Sequence, residues 1–169
     1  MKKLFKLALA GLAATSFSAN AEEILNSYVS MNVNAPASML WDVVKDFDGL
    51  ENWCPPFSGD EIQSGTNNTI GAIRTLTIKD GPTFNEELLA WDRMTRSYTY
   101  RVIDPAPLPV KKYKSTLTIM QLSPGLANVT WSSAYQNNSN GDMTDNEVIE
   151  FINGVYTTCL ATAKGKVEY

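Results

Sequence analysis

The spacing of apolar and polar residues divides most of the chain into strands. Side chains alternate over 24–34, and again over 70–79, 83–91, 97–103, 111–122 and 127–136. Alternation with a period of two predicts half-buried strands, and the short turn segments between them indicate an antiparallel sheet. Segment 59–68 is polar and rich in turn residues, with one short strand expected at 61–64.

Two regions follow the helical period instead. Apolar residues after Pro36 recur every three or four positions, which predicts a short helix, and a second short helix is expected at 50–53. Near the carboxyl terminus, Thr144 and Glu147 form a capping-box pattern ahead of one long amphipathic helix. Its apolar stripe consists of Val148, Ile152, Val155, Cys159 and Ala163. This order predicts an α+β fold in which the long helix covers one face of a curved antiparallel sheet.

Three polar residues interrupt the apolar faces of the predicted strands. Arg74, Glu86 and Tyr113 each occupy a position where the alternation calls for an apolar side chain. A buried charge is costly unless it is paired or hydrogen-bonded. Such residues are therefore either irregularities at a strand edge or groups that face a cavity. Two opposite charges and a phenol in one short region favour a polar cluster within an apolar pocket.

The amino-terminal segment has the three parts of a secretory signal peptide. Lys2 and Lys3 precede a mostly apolar run over 4–14, and Ala19-Asn20-Ala21 is a small-x-small cleavage site. The apolar run is too short to span a bilayer, so no stable membrane insertion is expected. We expect residues 1–21 to be removed and residues 22–169 to form one exported domain. The short basic start and alanine-rich core favour the bacterial periplasm.

Charge and residue types exclude several classes of function. Lys2, Lys3 and Lys6 lie within 1–21, so the mature chain keeps 11 of the 14 basic residues against 18 acidic ones, a net charge of about −7. This charge argues against nucleic acid and anionic membrane surfaces as partners. The sequence contains no histidine, which excludes Ser-His-Asp catalysis, Cys-His catalysis and histidine-ligated metals. We expect no metal site and no cofactor.

The sequence contains two cysteines, Cys54 and Cys159. Two thiolates are too few for a zinc or iron–sulfur site built from cysteine alone. In an oxidising compartment the pair could form a disulfide, and the alternative is two buried free thiols that behave as small apolar residues.

Several local sequences resemble one known superfamily. Segment 34–47 (NAPASMLWDVVKDF) is similar to the opening of SRPBCC proteins, the START/Bet v 1-like superfamily. Segments 71–76 (GAIRTL), 86–89 (EELL) and 108–110 (LPV) resemble its polyketide cyclase/dehydrase-type subgroup. The resemblance covers nearly the whole mature chain. It implies a helix-grip fold, in which a bent sheet wraps around a long carboxyl-terminal helix and leaves a cavity between them.

The same run of motifs is found in plant lachrymatory factor synthases and in MxaD-type periplasmic proteins linked to methanol oxidation. In the synthases an arginine, a glutamate and a tyrosine line the pocket and are implicated in catalysis. By local match these fall on Arg74, Glu86 and Tyr113. MxaD-type proteins carry the same three residues without a demonstrated enzymatic role. The resemblance therefore implies a pocket signature and leaves the reaction open.

The three polar residues suggest a specific chemistry. If Arg74 and Glu86 face each other on adjacent strands, the cation should keep Glu86 ionised although burial opposes it, and burial should keep it basic enough to move a proton. Arg74 could then hold an oxyanion or an anionic head group, and Tyr113 could donate a hydrogen bond or relay a proton. This set suits isomerisation, cyclisation or dehydration without a metal. The alternative is a buried ion pair that closes the cavity floor.

Aromatic and aliphatic side chains would supply the ligand-binding wall, although each of them could instead be plain core. The candidates are Trp53, Phe57, Leu76, Leu88, Tyr100, Leu117, Trp131, Tyr135, Ile152 and Tyr156. The proline-rich loop 104–109 could form a stiff lip at the mouth.

Three functions are compatible with the sequence. The first is an exported binding protein for a small hydrophobic or amphipathic molecule. The second is a cofactor-free acid–base enzyme that uses Arg74, Glu86 and Tyr113 on such a molecule. The third, which the resemblance to MxaD-type proteins implies, is an accessory protein that docks to a periplasmic dehydrogenase.

Overall fold

Strands and helices follow one another in the order that the alternation predicts. The structure is a computed structural model, and it describes residues 23–168. The elements are β1 (Leu25–Val33), α1 (Ala37–Val44), a 3₁₀-helix (Leu50–Asn52), β2 (Phe57–Ser64), β3 (Ile73–Ile78), β4 (Thr83–Asp92), β5 (Ser97–Val102), β6 (Val110–Ser123), β7 (Leu126–Asn137) and α2 (Asp145–Gly165). The predicted signal peptide, 1–21, lies outside the described residues.

All seven strands form one antiparallel sheet in the order β1-β7-β6-β5-β4-β3-β2. The first strand pairs with the last, and α1 contacts α2. On β6 the register shifts between Lys111 and Lys114, and Lys112 has a φ of 52°. Because this bulge adds one residue to the strand, Val110 and Tyr113 are both buried although they are three positions apart.

Helix α2 covers the inner face of the sheet. It begins at the predicted capping box, where the Glu147 N–H donates to Thr144 Oγ1 and the Thr144 N–H donates to the Glu147 carboxylate at 2.7 Å. The helix packs against β1, β7 and α1. Its buried side chains are Val148, Ile152, Tyr156, Cys159, Leu160 and Ala163. The predicted helix-grip architecture, with two short helices after the first strand, is thereby confirmed.

Strand boundaries differ from the prediction at β2 and β3. Strand β2 begins at Phe57 and not at 61, because a bulge between Phe57 and Gly59 breaks the alternation that would have marked it. Strand β3 begins at Ile73, since Gly71 has a φ of 87° and belongs to the preceding turn. Within residues 23–168, no helix is long and apolar enough to cross a membrane.

Candidate functional site

An apolar cavity of about 100 Å³ lies between the inner face of the sheet, α2 and the loop before β6. Two residues of the proline-rich loop, Leu108 and Pro109, belong to its wall. Phe151 of α2 also lines the cavity and is 46% exposed, which places it at the mouth. The full wall consists of Leu50, Pro56, Phe57, Ile78, Phe84, Glu86, Tyr100, Val102, Leu108, Pro109, Val110, Tyr113, Trp131, Phe151, Ile152, Val155 and Tyr156.

Half of the ten predicted wall residues line this cavity. They are Phe57, Tyr100, Trp131, Ile152 and Tyr156. The other five are buried core residues outside the wall, namely Trp53, Leu76, Leu88, Leu117 and Tyr135. Two of these five pack directly against wall residues. The Trp53 ring lies 5.5 Å from the Trp131 ring, and the Tyr135 ring stacks 5.9 Å from the Tyr113 ring.

Ten wall residues were not among the individual site residues that were predicted, although Leu108 and Pro109 lie in the loop expected to form the lip of the mouth. Ile78 and Phe84 had a usable signal, because they share strand faces with Arg74 and Glu86. The others come from loops, from strand ends or from the half-exposed edge of α2, where no periodic pattern distinguishes a wall residue from an ordinary one. They are Leu50, Pro56, Val102, Leu108, Pro109, Val110, Phe151 and Val155.

Arg74 and Glu86 form a buried ion pair. They are directly opposed on the antiparallel strands β3 and β4. Arg74 Nε donates to Glu86 Oε2 at 2.9 Å, and Arg74 Nη2 donates to the same oxygen at 2.6 Å. The neighbouring Glu87 points outward and pairs with the exposed Arg101. The strand alternation therefore selects the correct glutamate of the two.

A second acid, Asp60 on β2, completes this ionic cluster. Arg74 Nη1 donates to Asp60 Oδ2 at 3.1 Å and also donates to the Phe47 carbonyl. The Leu50 N–H donates to the same Asp60 oxygen at 3.0 Å. Asp60 was not predicted as a site residue, because segment 59–68 is polar and rich in turn residues and the bulge between Phe57 and Gly59 interrupts the alternation. The cluster thus holds the chain between α1 and the 3₁₀-helix against the sheet.

The guanidinium of Arg74 is fully enclosed. Its Cζ atom lies 4.2 Å from the Phe47 ring centroid and 5.3 Å from that of Tyr100, and the residue is 1% exposed. Each of its three nitrogens donates to Glu86, Asp60 or the Phe47 carbonyl. Arg74 does not belong to the cavity wall, whereas Glu86 does. The expectation that Arg74 could hold an anionic head group is therefore not supported, because Arg74 lies outside the wall and four of its five N–H donors are directed at protein oxygens.

Burial sets the protonation of the two acids. It raises the pKa of Glu86 to about 7 and that of Asp60 to about 6, although Arg74 opposes both changes. Burial disfavours the charged guanidinium, but Glu86 and Asp60 together raise the pKa of Arg74. One cation cannot neutralise two buried carboxylates, so the cluster takes up a proton near neutral pH. At Glu86 burial thus outweighs the cation, so the carboxyl is only partly ionised at neutral pH, and it is basic enough to exchange a proton as expected.

Tyr113 belongs to a separate group, a chain of hydroxyls that runs from Tyr113 through Tyr156 to Ser115. Ser115 Oγ lies 2.8 Å from the Ser132 carbonyl, which can only accept, so the single Ser115 hydroxyl hydrogen is donated there. Tyr156 must then donate to Ser115 at 3.1 Å, and Tyr113 must donate to Tyr156. The Trp131 N–H also donates to Ser115, at 2.9 Å. The hydroxyl chain therefore has one direction and ends on the backbone.

The phenols of this group stay neutral. Burial raises the pKa of Tyr156 to about 12 and raises the pKa values of Tyr100 and Tyr113 well above the ordinary value of a phenol. Tyr113 is therefore an uncharged group whose hydrogen is occupied by Tyr156. Its oxygen retains free lone pairs on the cavity wall, so Tyr113 is better suited to accept a hydrogen bond there than to donate one.

Glu86 presents one unused oxygen. Oε2 accepts both bonds from Arg74, and none of residues 23–168 hydrogen-bonds Oε1. A carboxyl group with a pKa near 7 on an apolar wall can accept a hydrogen bond or exchange a proton with a bound molecule. Within residues 23–168, no group of three or more His, Cys, Asp and Glu side chains is placed to hold a metal ion.

The two cysteines are joined in a disulfide with their Cα atoms 4.2 Å apart. Cys54 follows the 3₁₀-helix, and Cys159 lies on α2 one turn beyond the wall residue Tyr156. The disulfide therefore ties two parts of the cavity wall together, since Leu50 and Pro56 flank Cys54.

Comparison with known proteins agrees with this architecture. Residues 25–168 match a family model described as polyketide cyclase/dehydrase and lipid transport. No match was found among curated protein sequences. A protein called XoxI from Bacillus cereus has a similar solved structure, with 25% identity and a TM-score of 0.75 over 85% of this chain and 95% of that chain.

Two further solved structures are similar. A protein from Thermobifida fusca is 26% identical, with a TM-score of 0.72 over 85% of this chain and 95% of that chain. The ZhuI aromatase/cyclase from a Streptomyces species is 20% identical, with a TM-score of 0.68 over 85% of this chain and 93% of that one, which is evidence for the fold alone. Since the family model spans nearly all of the described residues, the chain belongs to the polyketide cyclase/dehydrase and lipid transport family of the SRPBCC superfamily.

Proposed function

We propose that this chain is an exported binding protein for a small hydrophobic molecule that carries one polar group. The observation that supports this most is the cavity itself, whose wall is apolar except for the Glu86 carboxyl and the polar atoms of the aromatic residues. Small-molecule sites in proteins usually have this composition, with a few polar groups that fix the orientation of the ligand.

The volume of the cavity limits what it can enclose. An apolar cavity of about 150 Å³ is large enough to bind benzene. A cavity of about 100 Å³ is smaller, so it encloses a short aliphatic group, or one small ring that projects toward the mouth. Any longer part of the ligand would extend past Phe151 at the mouth.

The disulfide supports the exported location. Disulfides persist in oxidising compartments and are rare in the bacterial cytoplasm. Mass spectrometry of protein from the periplasmic fraction should find a chain that begins at Glu22 and lacks free thiols. Full-length protein with two free thiols would contradict export.

The binding function is tested by filling the cavity. Toluene titrated into the mature chain should shift amide NMR signals of wall residues such as Ile152 and Val155. Val155→Trp places a larger side chain on the wall and should abolish these shifts, because the cavity has no room for both groups. Thr158→Trp, at an exposed position of the same helix, is the matched control and should bind toluene as the wild type does. Absence of binding by the wild type would contradict the proposal.

A second candidate function is metal-free proton transfer. It is favoured by Glu86, whose pKa of about 7 and unused oxygen on the wall suit a general acid or base. Glu86→Gln should then abolish turnover and retain ligand binding. If the variant retains both properties of the wild type, the carboxyl group is not catalytic. The accessory role beside a periplasmic dehydrogenase remains a prediction.

A further inference from the structure

The hydrogen-bonding groups on the cavity wall are not balanced between donors and acceptors. Arg74, the cation beside the wall, directs its nitrogens at Glu86, Asp60 and the Phe47 carbonyl. Among residues 23–168, no Lys or Arg side chain lines the cavity. An anionic ligand would therefore lose its water without gaining a cation.

Two acceptors face the cavity. Glu86 has its unused oxygen Oε1, and Tyr113 has lone pairs that the hydroxyl chain leaves free, because its hydrogen is donated to Tyr156. One donor accompanies them. Tyr100 Oη accepts from the Trp131 N–H at 3.1 Å, and none of residues 23–168 accepts the Tyr100 hydrogen.

A ligand hydroxyl matches this arrangement because it donates one hydrogen bond and accepts others. We propose that the cavity selects hydrophobic molecules whose buried polar group is a neutral hydroxyl, such as small alcohols or phenols, and excludes carboxylates of the same size. This inference rests on the proposed binding function. It names Glu86 as the residue that determines specificity, with Tyr113 and Tyr100 beside it.

Three ligands of similar size separate the possibilities. Dissociation constants of toluene, phenol and benzoate would be measured by amide NMR titration of the mature, disulfide-bonded chain at pH 8. Phenol should bind about tenfold more tightly than toluene, because it adds a hydrogen bond to a charged acceptor. Benzoate should bind at least about a hundredfold more weakly than phenol, because its charge meets no cation on the wall.

Glu86→Gln should abolish this preference. The Arg74 donors will hold the amide oxygen, so the amide NH₂ group replaces the free acceptor on the wall. Phenol should then lose its advantage over toluene, and benzoate should gain about tenfold in affinity. The variant should fold, since Asp60 still compensates the charge of Arg74. Glu87→Gln on the outer face is the matched control and should leave all three affinities unchanged.

The outcomes are distinguishable. If the wild type binds benzoate as tightly as phenol, the inference is overturned while toluene binding still supports the proposed function. If no ligand binds, the proposed function fails and the inference fails with it. Should Glu86→Gln lose its folded spectrum, Tyr113→Phe removes the second acceptor. A phenol-to-toluene ratio that Tyr113→Phe leaves unchanged would also contradict the inference.

Discussion

Two buried polar groups lie against one cavity, and they differ in charge. The ionic cluster of Arg74, Asp60 and Glu86 has one cation for two acids, whereas the hydroxyl chain from Tyr113 to Ser115 is neutral and ends on the Ser132 carbonyl. The ionic cluster reaches the wall through Glu86, and the hydroxyl chain reaches it through Tyr113 and Tyr156. The cluster can therefore change its charge near neutral pH, and the hydroxyl chain cannot.

The difference shows where chemistry can occur. A buried polar residue whose nitrogens all donate to protein oxygens stabilises the fold and positions its partners, as Arg74 does. A residue with an atom left over toward the cavity can act on a ligand, as Glu86 does. Two of the three residues that interrupt the apolar faces therefore reach the cavity, and the third positions one of them.

The largest expected effect comes from removing the cation. Arg74→Leu leaves two buried acids without compensation and removes the bond to the Phe47 carbonyl. We expect it to lower the free energy of unfolding by about 3–5 kcal/mol in urea titrations at pH 7. Arg101→Leu, which breaks the exposed pair with Glu87, is the matched control and should cost about 0–1 kcal/mol. If both variants lose the same unfolding free energy, the prediction that the buried ion pair matters more for stability than the exposed one is contradicted.

The next effect is a dependence of stability on pH. The pKa values of Asp60 and Glu86 rise from 3.8 and 4.5 to about 6 and about 7 on folding, so the folded state binds more protons between about pH 4 and 7. Stability should therefore increase as pH falls from 8 to 5. For about one proton and a shift of about two pKa units, the gain is about 3 kcal/mol.

This pH effect should belong to the ionic cluster alone. Glu86→Gln should flatten the profile of unfolding free energy between pH 5 and 8, because it removes one of the two titrating acids. Tyr113→Phe should leave the slope unchanged, since the phenols titrate far above this range. If the unfolding free energy of the wild type falls steadily from pH 8 to pH 5, the predicted sign of the pH dependence is contradicted.

The smallest effects test the direction of the hydroxyl chain. Tyr156→Phe leaves the Tyr113 hydroxyl without its acceptor and should cost about 1–3 kcal/mol. Tyr113→Phe leaves Tyr156 free to donate to Ser115 and should cost about 0.5–1.5 kcal/mol. Thermal unfolding of both variants would show which of the two substitutions destabilises the protein more. A larger cost for Tyr113→Phe would contradict the direction that the Ser132 carbonyl imposes.

The sequence predicted the structure well where the spacing of apolar residues stayed regular over many positions. The alternation of β3 and β4 placed Arg74 and Glu86 on the apolar faces of their strands and Glu87 on the opposite face, and the helical stripe identified α2. The direct opposition of Arg74 and Glu86, which the sequence alone could only suggest, is given by the register of the sheet. Asp60 was missed because the bulge in β2 interrupts the period. The direction of the hydroxyl chain depends on distances between β6, β7 and α2, which no local pattern contains. The alternation places Leu76 and Ile78 on the same strand face as Arg74, but it does not show which of the two lies at the depth of the cavity.

The titration of Glu86 tests the central claim most directly. The side-chain carboxyl carbon of Glu86 would be followed by NMR against pH, in the free protein and with phenol or toluene bound. We predict a pKa of about 7 in the free protein, which phenol lowers by donating to the carboxylate and toluene raises by excluding water. A pKa near the ordinary 4.5 that neither ligand moves would contradict the placement of Glu86 as the polar end of a ligand cavity.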